Sequence, residues 1–387
     1  MAAERILRAK ENRPSPVRRG DNVDVPFLLL ILLLLAVGLA MLYSASCAQS
    51  AYDTGYQSTV KYFSKQALCA AMGLGAMYGF SRIPPRVWYG LAWPMYGASI
   101  VLLLSVLVFG QQVNGARRWI NIAGIQFQPS EVAKFTMIVL FARLTQSYGR
   151  DVKQFRYGVL GFGTALMGIL VPLALEKHLS AIMLMGMVAV VMMFVAGTSP
   201  KWLLAGAMAA GLFVIVYISL MGYAGDRVTA WLHPELDPGD TGYQILQSLY
   251  AIGSGGVFGL GYGKSRQKYL YLPFQYNDYI FAIVCEELGL VGAALIMGLF
   301  SAAILRGFRI ALRCRDRFAS VLCAGLVSLI GVQTILNLCV VTNLLPSTGI
   351  ALPFFSYGGT ALAVNLGEMG IVLSISRNRN TLQEETL

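Results

Sequence analysis

Residues 242–289 read GYQILQSLYAIGSGGVFGLGYGKSRQKYLYLPFQYNDYIFAIVCEELG. The stretch passes from polar to apolar, and that passage decides what kind of fold the chain has. It holds two glycine clusters, then the bases Lys264, Arg266 and Lys268, then a lone acid, Asp278, ahead of the apolar run YIFAIV. Outward from it, the chain is a series of long apolar runs with short polar intervals. A spanning helix needs about 20 apolar residues. Ten such runs are legible, near 25–47, 63–81, 88–109, 130–147, 156–175, 179–197, 201–221, 279–305, 318–342 and 360–376. The fold class expected is therefore an all-α integral membrane protein of ten transmembrane helices.

Composition agrees. The 387 residues are 56% hydrophobic and 13% charged, with a mean hydropathy of +0.62, whereas soluble domains are about a quarter charged. The net charge of +11 does not point to nucleic acid, because the bases cluster in short loops between apolar runs. Cytoplasmic membrane faces carry that pattern. An even number of spans puts both termini on one side, and an N-in, C-in arrangement leaves 20 of the 30 bases inside. The densest inner group is Arg306, Arg309, Arg313, Arg315 and Arg317, read as a topology anchor beside anionic lipid. Residues 1–24 form a basic cytoplasmic tail, 25–377 the membrane domain and 378–387 a cytoplasmic C-terminal tail. The first apolar run is long enough to span, so no cleavable leader is needed to explain it. The six cysteines have no disulfide or metal spacing, and His178 and His233 by themselves make no metal site.

On this topology the outer face holds five loops: 48–62, 110–130, a hairpin at Glu176–Ser180, the long interval of about 222–278, and TNLLPSTGIALPFFSYGGT at 342–360. The last is apolar yet broken by proline and glycine. Such backbone is tolerated at membrane depth only against protein or around a cavity. Function is expected on this face.

Asp278 stands where loop becomes helix. It reads as a helix N-cap or as a catalytic base, and the two are compatible. Glu286 and Glu287, two turns deeper, read first as helix–helix pairing groups, because buried carboxylates usually pair. Glu131 and Lys134 are three apart and share a helical face, after a start signal of Ser130 and an early acid. The pair either holds helices together or faces a polar substrate. Arg118 suits phosphate through its planar fork and Lys134 as a point charge. Arg118 beside Trp119 also suits plain interfacial anchoring. The glycines from Gly253 to Gly263, followed by Lys264, Ser265, Arg266, Gln267 and Lys268, read as an anion cradle or as a glycine-rich re-entrant turn.

Together these motifs resemble one family. YSAS at 43–46, NGARRWI at 114–120, QPSEVAK at 128–134, the 242–268 and 271–289 segments, and LLPSTGIALPFFSYGGT at 344–360 are similar to the SEDS proteins, the FtsW/RodA/SpoVE group. YSAS and the SRQK segment look closer to the division and sporulation members. The resemblance implies a peptidoglycan glycosyltransferase that polymerises lipid II into β-1,4-linked strands on the outer face of the cytoplasmic membrane and releases undecaprenyl pyrophosphate. It implies a class B penicillin-binding protein and other divisome proteins as partners, and a divalent cation, Mg²⁺ or Mn²⁺, with no organic cofactor. Asp278 matches the family's essential aspartate, so an inverting transfer would use it as general base. Trp119, Glu131 and Lys134 match the substrate cavity, with Arg118 as a phosphate partner. Ser265, Gln267 and Lys268, and Ser356, Tyr357, Gly358 and Gly359 of the last loop, complete the expected substrate-binding set. A lipid II flippase and a non-catalytic division scaffold are the competing readings. Two departures stand out: the third hairpin is EKHLSA where the family commonly has QPDLGT, and PFQYND replaces PEAHTD before the helix.

Overall fold

The computed structural model describes residues 23–113, 116–122, 125–206, 208, 211, 230–236 and 241–377, and the elements named here lie among them. The helices are α1 Val25–Asp53, α2 Lys61–Arg82, α3 Pro85–Phe109, α4 Pro129–Tyr148, α5 Phe162–Leu175, α6 Leu179–Ala196, α7 Thr241–Gly255, α8 Ile280–Arg313, α9 Arg317–Val341 and α10 Thr360–Ser376. Among the described residues, six spans are long and apolar enough to cross a membrane: α1, α3, Arg156–Leu175 (which ends in α5), α6, α8 and α9. The tail 1–22, most of the seventh expected span (201–221), residues 222–229 of the long loop and the tail 378–387 lie outside the described residues.

The helices are amphipathic toward one another rather than toward water. In α9, 83% of the apolar window is buried. It packs on α4, α6, α8 and α10, so it is the central pillar. From Ala133 to Ala142, α4 is buried on nearly every face. Exposed leucines and valines such as Leu29, Leu33, Val101 and Leu104 lie on α1 and α3 instead.

Three features depart from the sequence expectation. The 110–130 loop, read only as rich in glycine, amide and base, carries strands: β1 Gln111–Val113, β2 Ala116–Ile122 and β3 Ile125–Phe127 form an antiparallel meander in the order 1-2-3. The long loop carries a 15-residue helix, α7, packed on α8. And α8 runs on to Arg313 rather than ending near 305, so Arg306, Arg309 and Arg313 extend from a helix and only a short turn leads into α9.

Hydrogen bonds define two ends of the bundle. At one end Asp24 caps α1 through Phe27 N (3.0 Å) and pairs with Arg306 of α8 (2.9 Å). Its own amide donates to Ser376 Oγ of α10 (3.0 Å). The first and last described helices therefore begin and finish together. The opposite end gathers the connection from α1 to α2, the meander, the 176–180 hairpin, the approach to α8 and the 342–360 loop.

Candidate functional site

The Asp278 turn is held by its backbone. Asn337 of α9 is fully buried. Its Nδ2 donates to the carbonyls of both Asp278 and Ile350, each at 2.8 Å. Ser356 Oγ donates to Asn277 O (2.7 Å) and accepts from Leu352 N (2.7 Å). Tyr357 N donates to Tyr276 O (2.9 Å). From α2, buried Gln66 donates to Ser356 O (3.1 Å) and accepts from the amides of Gly358 (3.3 Å) and Gly359 (3.0 Å). Broken backbone in an apolar surround must find such partners, and here two side-chain amides on neighbouring helices supply them. Gly349 completes the turn. Its φ is +71°, and a Cβ there would stand 3.3 Å from Asp278 Oδ2. Asp278 itself stays half-buried. The cap position of α8 is occupied by Tyr279, without a side-chain cap, so the N-cap expectation for Asp278 is corrected by one residue. Likewise Gln128, not Ser130, precedes α4, with Pro129 as its first residue.

A second group lies beside this turn. Arg118, from β2, donates through Nη2 to Lys177 O in the 176–180 hairpin. Trp119 follows it, half-buried. In the first turns of α4, Lys134 Nζ meets Glu131 Oε2 at 2.7 Å, and both residues are buried. The i, i+3 spacing predicted that pairing. Burial pushes the Glu176 carboxyl up to about 8, and nearby Arg118 only partly opposes it. Burial pushes His178 down to about 3, with Arg118 and Lys134 adding to the effect. Ser180 donates to Thr348 O, which ties this hairpin to the residue next to Gly349. Thr360 Oγ1 donates to Gln126 O of β3 (3.2 Å). The meander, the hairpin, the last loop and the Asp278 turn are thereby one connected surface.

The glycine segment builds a different structure. Gly289 (φ +66°) interrupts the helical backbone of α8. The freed groups pair with the glycine turn: Leu260 N donates to Glu286 O, Gly261 N to Glu287 O and Leu290 N to Gly256 O, at 2.9–3.0 Å. A Cβ on Gly259 would sit 2.2 Å from Glu287 O, so no other residue fits. Ser265 and Lys268 are buried. Lys268 Nζ pairs with Glu287 Oε1 (3.0 Å) and bonds Ser44 Oγ of α1 (3.1 Å). Ser265 donates to Glu286, and the amides of Arg266 (2.9 Å) and Gln267 (3.4 Å) donate to the same carboxylate. The structure thus brings Ser265, Gln267 and Lys268 to Glu286, Glu287 and α1, while Arg118, Glu131 and Lys134 gather around the hairpin.

Sequence reading missed Gln66, Asn337 and Glu368. Buried Glu368 of α10 lies within the electrostatic reach of Lys134 and Glu131. The available signal was a lone amide or acid inside an apolar run, which is costly unless it has a task. For a divalent cation the fit is poor. Among the described residues no three His, Cys, Asp or Glu side chains assemble to hold one.

Residues 25–381 match the model of the FtsW/RodA/SpoVE family, described as cell cycle proteins. A probable peptidoglycan glycosyltransferase FtsW of Geobacter sulfurreducens is 38% identical over 364 residues, covering 93% of this chain and 96% of that one. Stage V sporulation protein E of Bacillus subtilis is 38% identical over 365 residues, covering 93% and 98%. Among solved structures, a chain of a peptidoglycan synthase complex that coordinates polymerization and crosslinking superposes with a TM-score of 0.79 at 29% identity, covering 93% of this chain and 99% of that one. The Thermus thermophilus rod shape determining protein RodA superposes at 0.70 with 27% identity and the same coverage.

Proposed function

The chain belongs to the FtsW/RodA/SpoVE family, and from that premise we propose that it is a peptidoglycan glycosyltransferase polymerising lipid II, with Asp278 as its general base. The observation that carries the catalytic reading is the way the Asp278 turn is built. Its backbone is fixed by Asn337, Ser356 and Tyr357 while Asp278 stays half-accessible, and it is joined through Gly349 and Thr348 to the hairpin beside Arg118 and Lys134. A base must be held within hydrogen-bond reach of the hydroxyl it serves, and a rigid turn does that.

In this reading Asp278 takes the proton from the acceptor sugar hydroxyl. That oxygen attacks the donor's anomeric carbon with inversion. The bond from the anomeric carbon to the pyrophosphate oxygen breaks, and undecaprenyl pyrophosphate leaves with the electron pair. Arg118 and Lys134 stabilise the charge that develops there. No step is routed through a metal, since the described residues offer no ligand set for one. The spans are ten in number with both termini inside, which sets the connected loops on the outer face of the cytoplasmic membrane. A class B penicillin-binding protein is the partner that crosslinks the strands, alongside other proteins of the division or sporulation machinery.

The test is a lipid II polymerisation assay on purified protein with and without a co-purified penicillin-binding protein. The parent makes glycan strands, and Asp278→Ala makes none while melting at the parent temperature. Strands from the variant would remove Asp278 as the base. Headgroup translocation in liposomes without polymer from the parent would point to lipid flipping instead.

A further inference from the structure

Three tyrosines from distant parts of the chain meet beside Asp278. Tyr62 opens α2, Tyr276 lies two residues before Asp278, and Tyr357 lies in the last loop. The ring centroids of Tyr62 and Tyr276 are 4.5 Å apart, those of Tyr62 and Tyr357 5.1 Å, and those of Tyr276 and Tyr357 5.9 Å. The Tyr62 hydroxyl donates to Asp53 at the end of α1, whose other carboxylate oxygen accepts from Gln49 Nε2 (2.9 Å). Lys61 Nζ stands 3.9 Å from Asp53. The backbone bond from Tyr357 N to Tyr276 O locks two of the rings to the catalytic turn.

Elsewhere the same kind of cluster is core. Trp88, stacked edge-on between Phe80 and Phe135, is 5% exposed, and Phe135 is 7%. The three tyrosines remain partly exposed, and Asp53 beside them is exposed. They are also not a belt of separate interfacial anchors, because they pack on one another rather than singly outward. A fixed aromatic surface beside a carboxylate has the chemistry of a sugar site: ring faces meet the apolar C–H face of a pyranose, and the carboxylate and phenol groups take its hydroxyls.

We propose that Tyr62, Tyr276 and Tyr357, with Asp53, form a saccharide platform that seats a pyranose of the acceptor next to Asp278. The assignment rests on the glycosyltransferase reading. The cationic group connects to the Asp278 turn through Thr348 and Gly349 and suits the departing pyrophosphate. The tyrosines connect through residues 276 and 357, and the one cation beside them, Lys61, faces the Asp53 carboxylate and the Tyr62 ring, which leaves ring faces and hydroxyls for a hydroxyl-rich partner.

The test uses the full-length protein in detergent and a soluble, peptide-free GlcNAc–MurNAc tetrasaccharide. Saturation-transfer NMR reads binding without turnover. The parent is expected to transfer saturation to sugar ring protons. Tyr276→Leu weakens binding about 2- to 10-fold, the range expected for one aromatic contact, and raises KM for lipid II more than it lowers kcat. Tyr276→Phe, which keeps the ring, stays closer to the parent, and Tyr62→Leu provides a second variant should Tyr276→Leu melt early. A parent that polymerises lipid II yet binds no tetrasaccharide, or binding and KM indifferent to Tyr276→Leu and Tyr62→Leu in folded protein, overturns the platform. Tetrasaccharide binding that depends on Tyr276 in a protein making no polymer would uphold the platform and remove the catalytic reading.

Discussion

Eight residues separate Asp278 from Glu286, on one passage from loop to helix, and the two residues differ in burial. Glu286 and Glu287 are buried, at 1% and 0% exposure, and are surrounded by the Ser265, Arg266 and Gln267 amides, Ser44 and Lys268. Their donors come from the same loop and from α1, so the carboxylates act as a clasp that ties the glycine segment down. At Asp278, Asn337 and Ser356 fix the backbone of the turn, and the residue is half-buried rather than enclosed. A carboxylate that works as architecture is saturated by donors. The proposed base, Asp278, has its own carbonyl and that of Asn277 fixed by Asn337 and Ser356. The difference explains why three acids so close in sequence can have separate tasks.

The largest expected effect tests the open side. General-base catalysis contributes about 10²–10⁴-fold, so Asp278→Asn should cut the polymerisation rate by about that factor and leave the melting temperature unchanged. Next comes the saturated side. Removing one partner of a buried ion pair costs about 3–5 kcal/mol, while replacing both with apolar groups is often neutral. Lys268→Met should therefore lower the melting temperature strongly, and Lys268→Met with Glu287→Leu should recover much of it, measured by thermal shift in detergent. A double variant that melts normally but no longer polymerises lipid II would break the comparison, because the clasp would then be part of the chemistry.

A third region sharpens the contrast. In the Glu176–Lys177–His178 hairpin Lys177 is exposed but Glu176 and His178 are buried, and burial pushes both of these toward neutrality. For Glu176 the folded value is raised to about 8, so stability falls as pH rises from the ordinary carboxylate range through about 8. For His178 the folded value is lowered to about 3, so stability falls as pH drops below about 6.5. Each pH unit inside either window is worth at most about 1.4 kcal/mol. Glu176→Gln should flatten the alkaline side of a melting-temperature profile and His178→Asn the acid side. Parallel profiles for parent and both variants would show that the hairpin is solvated like the Asp278 rim.

How much of this was legible follows from the range of each interaction. The apolar runs and the basic connectors are local, and the described spanning helices lie where hydropathy put them, with most of the seventh expected span outside the described residues. The Glu131–Lys134 pair was legible because three residues along a helix fix a shared face. The partnership of Lys268 with Glu287 was not. A loop residue's direction depends on where Gly259 and Gly289 let two backbones touch, and sequence spacing does not carry that. Helix α7 hid in a stretch whose glycine and polar residues read as loop. The meeting of Tyr62, Tyr276 and Tyr357 spans almost three hundred residues, and only the packing of α2 along α10 under the last loop brings it about.

The smallest expected effect is also the most local. Gly349 adopts φ +71°, a left-handed conformation that costs an L-residue about 1–2 kcal/mol. Gly349→Ala should cost only about 1–2 kcal/mol of stability, and its melting temperature should fall far less than that of Lys268→Met. Its Cβ, however, would come 3.3 Å from Asp278 Oδ2, tighter than ordinary van der Waals contact, and the carboxylate has to give. Displacing a base by a few tenths of an ångström weakens the hydrogen bond it must make to the acceptor hydroxyl. The variant should therefore lose more in kcat than its stability loss accounts for, measured at a temperature where it is fully folded. The matching change on the saturated side is Gly261→Ala, whose Cβ would meet only the Lys264 side chain, at 3.4 Å. With φ +101° at Gly261, further from the left-handed well than Gly349, that variant carries at least as much backbone strain and should lose stability without an equal loss in turnover. Equal losses of turnover in the two variants would mean that strain anywhere in the loop reaches the chemistry, and the division between clasp and base would fail.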